Sequence, residues 1–209
     1  MRTAVRRKLG LSDSDDVVAD AILTDAVNES IQAISTERDW PWLYKEVTGN
    51  TTAASAILAM PADLSRIVFL TVRGTDMEAR QPRDLARYRT DISGNPISGI
   101  PSFYAMAGAN IELSPTPGSG VTYPYVLAYI ATEPLLTGDS DLPILPSQYH
   151  NWAVVRAALY VAHRTNDQMR IPTLEAADAK WMGRVVDNAR RSGNIPTIRR
   201  TKPSIWQDV

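Results

Sequence analysis

The spacing of apolar residues changes twice along the chain, and this change restricts its fold more than any other feature. Near both ends apolar residues recur every three or four positions, which is the period of one helix face. Between about residues 45 and 133, short runs of β-forming residues are separated by glycine and proline. This order predicts an α+β fold. Helices from both ends form a bundle, and a small antiparallel β module is inserted between them.

The first helical pattern covers residues 12–38. A serine near position 12 is the expected N-cap, and the aspartates that follow suit the positive end of the helix dipole. A second apolar flank widens the main stripe, so two sides of this helix are expected to be buried, one of them against another molecule. Pro41 ends the pattern because the residue before a proline disfavours helical geometry. The main stripe consists of Leu23, Val27, Ile31 and Ile34, and the flank of Val18, Ile22 and Ala26.

Four β-strands are predicted, at 67–73, 102–107, 111–114 and 125–130. The second and third alternate in polarity around Gly108, which indicates a hairpin. The fourth is apolar on both faces and is therefore expected at the centre of a sheet. One helical turn is possible within 78–89.

Ser147 is the expected cap of a helix reaching about residue 165. This helix is apolar nearly all round and is expected at the centre of the bundle. A last helix follows over 173–191 and carries Leu174, Ala177, Trp181 and Val185 on one stripe. The predicted organisation is an N-terminal helical segment, a β-rich module, C-terminal helices and an extended arm, at residues 1–44, 45–134, 135–192 and 193–209.

The composition argues against most catalytic sites. The chain has no cysteine, which excludes disulfides, thiolate metal sites and a cysteine nucleophile. Its only histidines, His150 and His163, are about 20 Å apart on one helix and are interpreted as packing or capping residues. No convincing acid and base pair occurs, so the prediction is a protein that is not an enzyme and holds no cofactor or metal. No segment resembles a signal peptide or a membrane span.

Three short motifs have a structural interpretation that outweighs a functional one. Asp139 and Asp141 form a loose carboxylate pair that could bind a cation, but a solvated turn is the better explanation of this spacing. Ser119 lacks the surroundings of a nucleophile and fits a hairpin turn. Trp40 and Trp42 flank Pro41. We interpret them as packing residues at the end of the helix, and the alternative is a platform on which a sugar stacks.

Both ends of the chain are basic although the net charge is only −1. Arg2, Arg6, Arg7 and Lys8 open the sequence, and residues 184–202 hold six basic residues against Asp187. Three interpretations remain open: contact with nucleic acid phosphates, solvated ends, and an arm that docks on a protein. Docking is favoured because the segment after Gly193 interleaves its charges with isoleucine and tryptophan, which are unfavourable to leave in water.

The order of the motifs resembles the head-to-tail adaptor (connector, head-completion) proteins of tailed bacteriophages over about residues 10–190. No single motif decides this resemblance. It rests on ERDWPW at 37–42, MPADLSRI at 60–67, IPSFY at 100–104, IELSPTP at 111–117 and LPSQYH at 145–150, together with Tyr129 and the Leu-Leu-Thr of 135–137.

The resemblance implies a structural protein of the virion, made in the bacterial host cytoplasm and located at the portal vertex. Such adaptors typically form a twelve-fold ring that joins the portal to tail or neck proteins. The packaged DNA passes through the ring without sequence-specific binding. Related adaptors often reach the portal with a C-terminal extension. In this sequence the candidate portal-docking residues are Ile195, Ile198, Arg199, Arg200, Ile205 and Trp206.

Three rival functions remain at the level of the sequence. The first is a tail-completion or neck protein of the same particle. The second is a DNA-binding packaging protein that uses both basic ends, and steeply salt-dependent duplex binding would favour it. The third is an enzyme such as a tail-associated hydrolase, for which the sequence offers no acid and base pair.

Overall fold

The computed structural model describes residues 1–12, 18–138 and 141–191. The chain divides into a helical unit, Met1–Pro41 with Leu145–Val209, and a β unit, Trp42–Ile144. The predicted α+β fold is confirmed. Among the described residues, none of the helices has the length and hydropathy needed to cross a lipid bilayer.

Helices and strands follow one another in the predicted order. The helices are α1 (Arg2–Lys8), α2 (Asp20–Glu37), α3 (Pro82–Leu85), α4 (His150–Arg164) and α5 (Ile171–Arg191), with short 3-10 turns at Pro41–Leu43, Ala86–Tyr88 and Ser147–Tyr149. The strands are β1 (Tyr44–Asn50), β2 (Ile57–Ala59), β3 (Leu64–Val72), β4 (Thr75–Asp76), β5 (Glu78–Ala79), β6 (Phe103–Ala107), β7 (Asn110–Ser114) and β8 (Pro124–Ala131).

The N-terminal helix prediction was wrong at its start. Helix α2 begins at Asp20 with Ala19 as its N-cap, and no side chain caps it. The predicted cap at Ser12 lies before that start, and residues 13–17 lie outside the described part of the chain. A separate helix, α1, precedes α2 and ends near Gly10, whose φ of +66° does not continue a helix. Arg6 of α1 contacts Asp20 at 2.8 Å, so an ion pair joins the two helices.

Both apolar flanks of α2 are already covered in the single chain. The main stripe is buried, as predicted. Val18 and Ala26 are buried as well, and Ile22 is half-buried. The second flank was expected to bury one side against another molecule, but it is not an open surface.

Helix α4 is the centre of the helical unit and contacts α1, α2 and α5. Nine of its fifteen residues are buried, which agrees with its nearly continuous apolar sequence. The expected Ser147 cap is absent, because the 3-10 turn leads into α4 and no side chain caps either element. Helix α5 buries only Leu174, Val185 and Ala189. Trp181 and Ala177 of its predicted stripe are half-buried.

Two four-stranded sheets make up the β unit. Their strand orders are β1-β8-β3-β4 and β2-β7-β6-β5. Strand β8 pairs antiparallel with both β1 and β3, so its predicted central place is confirmed. The short β5 pairs parallel with β6. The four predicted strands match β3, β6, β7 and β8 to within three residues at each end. The strands β1, β2, β4 and β5 were not predicted.

One apolar core joins the two sheets. Leu70, Val72, Leu127 and Tyr129 from the first sheet pack with Leu58, Ile111 and Leu113 from the second. The alternation of strand side chains places these residues on the facing surfaces of the sheets. The β unit is therefore a small sandwich of two sheets.

The predicted hairpin is formed by β6 and β7, with Ala107 opposite Asn110. Gly108 lies in its turn at a φ of +59°, a conformation that glycine adopts without steric cost. A second glycine has a packing role. A Cβ added at Gly49 on β1 would lie 2.8 Å from the hydroxyl of Tyr125 on β8.

Candidate docking surface

The residues predicted to dock on a portal follow α5 directly. All six of them, Ile195, Ile198, Arg199, Arg200, Ile205 and Trp206, lie outside the described residues. The last turn of α5 ends at Arg191 and is the described surface closest to them in sequence. A docking surface is therefore sought at this end of the helix.

A groove of about 330 Å³ lies at the C-terminal end of α5. One wall comes from the 3-10 turn before α4 and the other from α5. Tyr149 is buried and Trp181 is half-buried, while the polar lining residues are exposed. The lining consists of Gln148, Tyr149, Trp181, Arg184, Asp187, Asn188 and Arg191.

The groove combines aromatic rings with guanidinium groups. The Cζ of Arg184 lies 5.5 Å from the centre of the Trp181 ring, within the range of a cation–π contact. Within the described ranges, Arg184 and Arg191 form no ion pair. Two basic residues face the single acid Asp187, so the lining is net positive. Tryptophan, tyrosine and arginine are the residues that most often dominate binding energy at protein interfaces.

An ionic cluster around the buried Arg156 holds α5 against α4 and α2. Arg156 of α4 is 7% exposed and donates to both carboxylate oxygens of Asp178 on α5, at 3.0 and 2.9 Å. It also contacts Glu37 of α2. The indole of Trp152 donates to Asp178 at 2.7 Å. Burial alone would lower the pKa of Arg156, but its two carboxylate partners outweigh burial and raise that pKa above its ordinary value.

The two histidines do not share a site. The ring of His150 lies 2.9 Å from the carbonyl oxygen of Leu145, at the start of α4. His163 is exposed at the other end of α4, and its Nε2 lies 3.7 Å from a carboxylate oxygen of Glu175. His150 therefore serves the helix end, as interpreted, whereas His163 is a surface residue and does not pack.

The acidic and serine motifs form turns. Asp141 accepts hydrogen bonds from the backbone of Thr137 and Gly138 at 2.7 and 2.6 Å. The same backbone hydrogen bonds lower the pKa of the Asp141 carboxyl. Ser119 lies in a turn closed by a hydrogen bond from Val121 to Gly118. Asp139 is outside the described residues, among which no group of three potential metal ligands occurs.

Trp40 is a packing residue rather than a sugar platform. It is 1% exposed, and its indole donates to the carbonyl of Ile34 at 2.5 Å. Its ring meets Trp152 edge to face, with centres 5.9 Å apart. Trp42 is half-buried.

Some of the basic residues at the N-terminus form ion pairs within the helical unit. Arg6 is 8% exposed and pairs with Asp20, which also lies 3.8 Å from Arg2. Arg7 and Lys8 remain on the surface. Arg2 and Arg6 therefore both lie beside the same carboxylate.

Sequence reasoning did not find the groove. It placed Trp181 on a buried stripe and counted Arg184 only as part of a basic run. The available signal was their spacing, because residues three apart on a helix lie side by side and an arginine can stack on the ring. Tyr149 joins them only through the folded helical unit.

The comparison with protein families decides what kind of chain carries this groove. The sequence model of the family described as SU10 adaptor protein matches residues 1–201. The chain belongs to the SU10 adaptor protein family. The predicted resemblance to phage head-to-tail adaptors is confirmed, and this adaptor is a phage structural protein. No curated protein matches it.

Proposed function

We propose that this adaptor forms a ring, with twelve copies as the expected number, which joins the portal to the tail and extends the DNA channel. The observation that carries the proposal is the family match over residues 1–201. The ring lies at the neck of the virion, and the chain is made in the cytoplasm of the bacterial host. Its partners are the portal, tail or neck proteins, and further copies of itself.

The distribution of charge is compatible with a channel for DNA. The net charge is −1, so the chain as a whole offers little attraction to a polyanion. Neutralising many phosphates would slow the passage of the duplex, because each contact adds to the binding. The internal pairing of Arg6 with Asp20 also removes one cation from the set that a DNA-binding packaging protein would need.

The portal contact is assigned to the arm at residues 193–209. It follows α5 directly and contains isoleucine, tryptophan and arginine. Tryptophan and arginine are typical anchors of protein interfaces. The candidate anchors are the six docking residues named above. Helix α5, fixed by Asp178 to Arg156, provides a rigid base from which such an arm can reach a partner.

Native mass spectrometry with the portal ring of the same particle tests this function. The expected result is a gain of about one adaptor per portal subunit, which is the stoichiometry of a closed heterologous ring. Deletion of residues 193–209 should abolish the gain while circular dichroism still shows a folded chain. Unchanged binding by the deleted chain would remove the arm from the contact.

A matched pair of point variants locates the contact within the arm. Trp206→Ala should weaken portal binding about tenfold or more, as expected for an interface anchor. The neighbouring Gln207→Ala should bind like the natural chain. No binding by the natural chain would instead favour a tail-completion protein further from the portal, and steep salt-dependent binding to duplex DNA would favour the packaging protein.

A further inference from the structure

The groove at the end of α5 has a net positive lining, with Arg184 and Arg191 against the single acid Asp187, and this charge favours an anionic partner segment. Arg184 is held over the Trp181 ring, Arg191 lies on the same lining, and Tyr149 adds a second aromatic side chain. A carboxylate in this groove would form charge-assisted hydrogen bonds with the guanidinium groups. Asn188 and Gln148 are further polar residues of the lining.

The arm that follows α5 does not match this groove electrostatically. Residues 192–209 contain three basic residues, Arg199, Arg200 and Lys202, and one acidic residue, Asp208. A basic segment folded onto Arg184 and Arg191 would place like charges together, which disfavours docking. This leaves the arm available to a different partner and the groove available to an acidic one.

The same chain carries an acidic segment of the required kind. Residues 13–20 hold four aspartates and no basic residue. Asp20 is paired with Arg6, whereas the other three belong to the short connection between α1 and α2. These three are Asp13, Asp15 and Asp16.

We propose that the acidic segment 13–16 of one copy docks in the Trp181 and Arg184 groove of a neighbouring copy. The inference deepens the proposed function, on which it rests, because a ring places many copies side by side. Each copy then offers both a groove and an acidic segment to its neighbours. Such a contact is heterologous, because it joins two different surfaces of the chain. It closes a ring when the rotation from one copy to the next divides a full turn into a whole number of copies.

Cysteine cross-linking tests the contact directly, because the natural chain has no cysteine. A chain with Asp15→Cys is mixed with a differently tagged chain with Asn188→Cys and oxidised, both with and without the portal ring. The expected product is a disulfide between the two tagged chains. The control partner is Glu175→Cys, which is exposed on the same helix about 20 Å from position 188.

The expected cross-linking rate with Asn188→Cys is at least about tenfold above that with Glu175→Cys, as for a specific electrostatic contact. Equal rates for the two partners, with and without the portal, would overturn the proposal as random collision. A chain carrying Asp15→Cys and Asn188→Cys together that cross-links only within itself would also overturn it. In that case the segment would cover the groove of its own chain.

Charge reversal provides an independent check. In the cysteine chains, Arg184→Glu with Arg191→Glu should reduce the cross-linking rate about tenfold, and so should Asp13→Lys with Asp16→Lys on the other chain. Mixing the two reversed chains should restore the rate. Failure of the mixture to recover, although each chain melts like its parent, would contradict the assigned pair of charges.

The failure of this inference is distinguishable from failure of the proposed function. Portal binding by an uncross-linked natural chain, with no preference for Asn188→Cys, would remove the groove contact and leave the portal role intact. A specific cross-link between copies that never bind the portal would support the contact and remove the portal role.

Discussion

The two units of this adaptor differ in where their ion pairs lie. In the helical unit the cluster of Arg156, Asp178 and Glu37 lies among packed helices, and Arg156 is almost fully buried. In the β unit the core between the two sheets is apolar and the ion pair of Lys45 with Asp63 is partly exposed. Glu133 is a buried carboxylate of this unit, at 3% exposed, and it accepts a hydrogen bond from the backbone of Ile144. A buried cluster restricts how helices can be arranged, because every polar atom in it needs a partner. The apolar core between the sheets instead stabilises the fold in proportion to the apolar surface that it removes from water.

Removing the carboxylate that pairs with the buried Arg156 at two points should have the largest effect. Asp178→Ala leaves the Arg156 guanidinium without its two-point partner and the Trp152 indole without an acceptor. We expect a loss of about 3–5 kcal/mol in the free energy of unfolding, measured by urea denaturation. Asp187→Ala, an exposed acid on the same helix, should change it by less than about 0.5 kcal/mol. Equal losses for both variants would contradict the structural role of the cluster.

Opening a cavity in the β core should have a slightly smaller effect. Leu127 is 1% exposed at the centre of the sandwich. Leu127→Ala should cost about 3 kcal/mol in the free energy of unfolding, because the sheets cannot fully close around the missing atoms. Val47, its exposed register partner on β1, is the control. If Val47→Ala were as costly, burial would not explain the loss at Leu127.

The partly exposed ion pair should have the smallest effect and a distinct dependence on pH. The hydrogen bond from Lys45, assisted by that from Tyr129, holds the pKa of Asp63 below its usual value. A carboxyl with a lowered pKa contributes stability at neutral pH, and this contribution is lost as the pH falls through its folded pKa. Asp63→Asn should therefore cost about 0.5–1 kcal/mol near pH 7, a small figure because solvent screens the pair.

The same difference between Asp63→Asn and the natural chain should shrink as the pH falls below about 4, where the Asp63 carboxyl of the unfolded chain takes up a proton before that of the folded chain. Urea denaturation at several pH values measures it. Combining the variant with Lys45→Ala isolates the ion pair from the hydrogen bond of Tyr129. A difference that grows on acidification would reverse the assigned direction of the pKa shift.

Long apolar patterns were the predictable part of the fold. The continuous apolar faces of α4 and β8 allow only a central place, and both have one. Strand β1 was not recognised because most of its residues are polar and its strand conformation depends on pairing with β8. Helix α1 has only seven residues, too few for a period to be visible in the sequence.

The candidate site depends on contacts between elements that are far apart in the sequence, and residue spacing does not predict them. The composition of the arm indicated docking, but the groove requires Tyr149 and Trp181 to approach one another across two elements. The buried cluster had a signal that went unused. Arg156 lies within an otherwise apolar helix, and a charge in such a position needs a buried partner.

The insertion of the β unit into the helical unit has a consequence for the order of folding during synthesis. All strands of the sandwich belong to the continuous segment Trp42–Ile144, so this unit can fold once β8 has left the ribosome. Helix α2 must wait longer, because its main partner α4 is translated after the whole β unit. During that interval the apolar stripe of α2 lacks its native cover, which makes the nascent chain susceptible to aggregation at this helix.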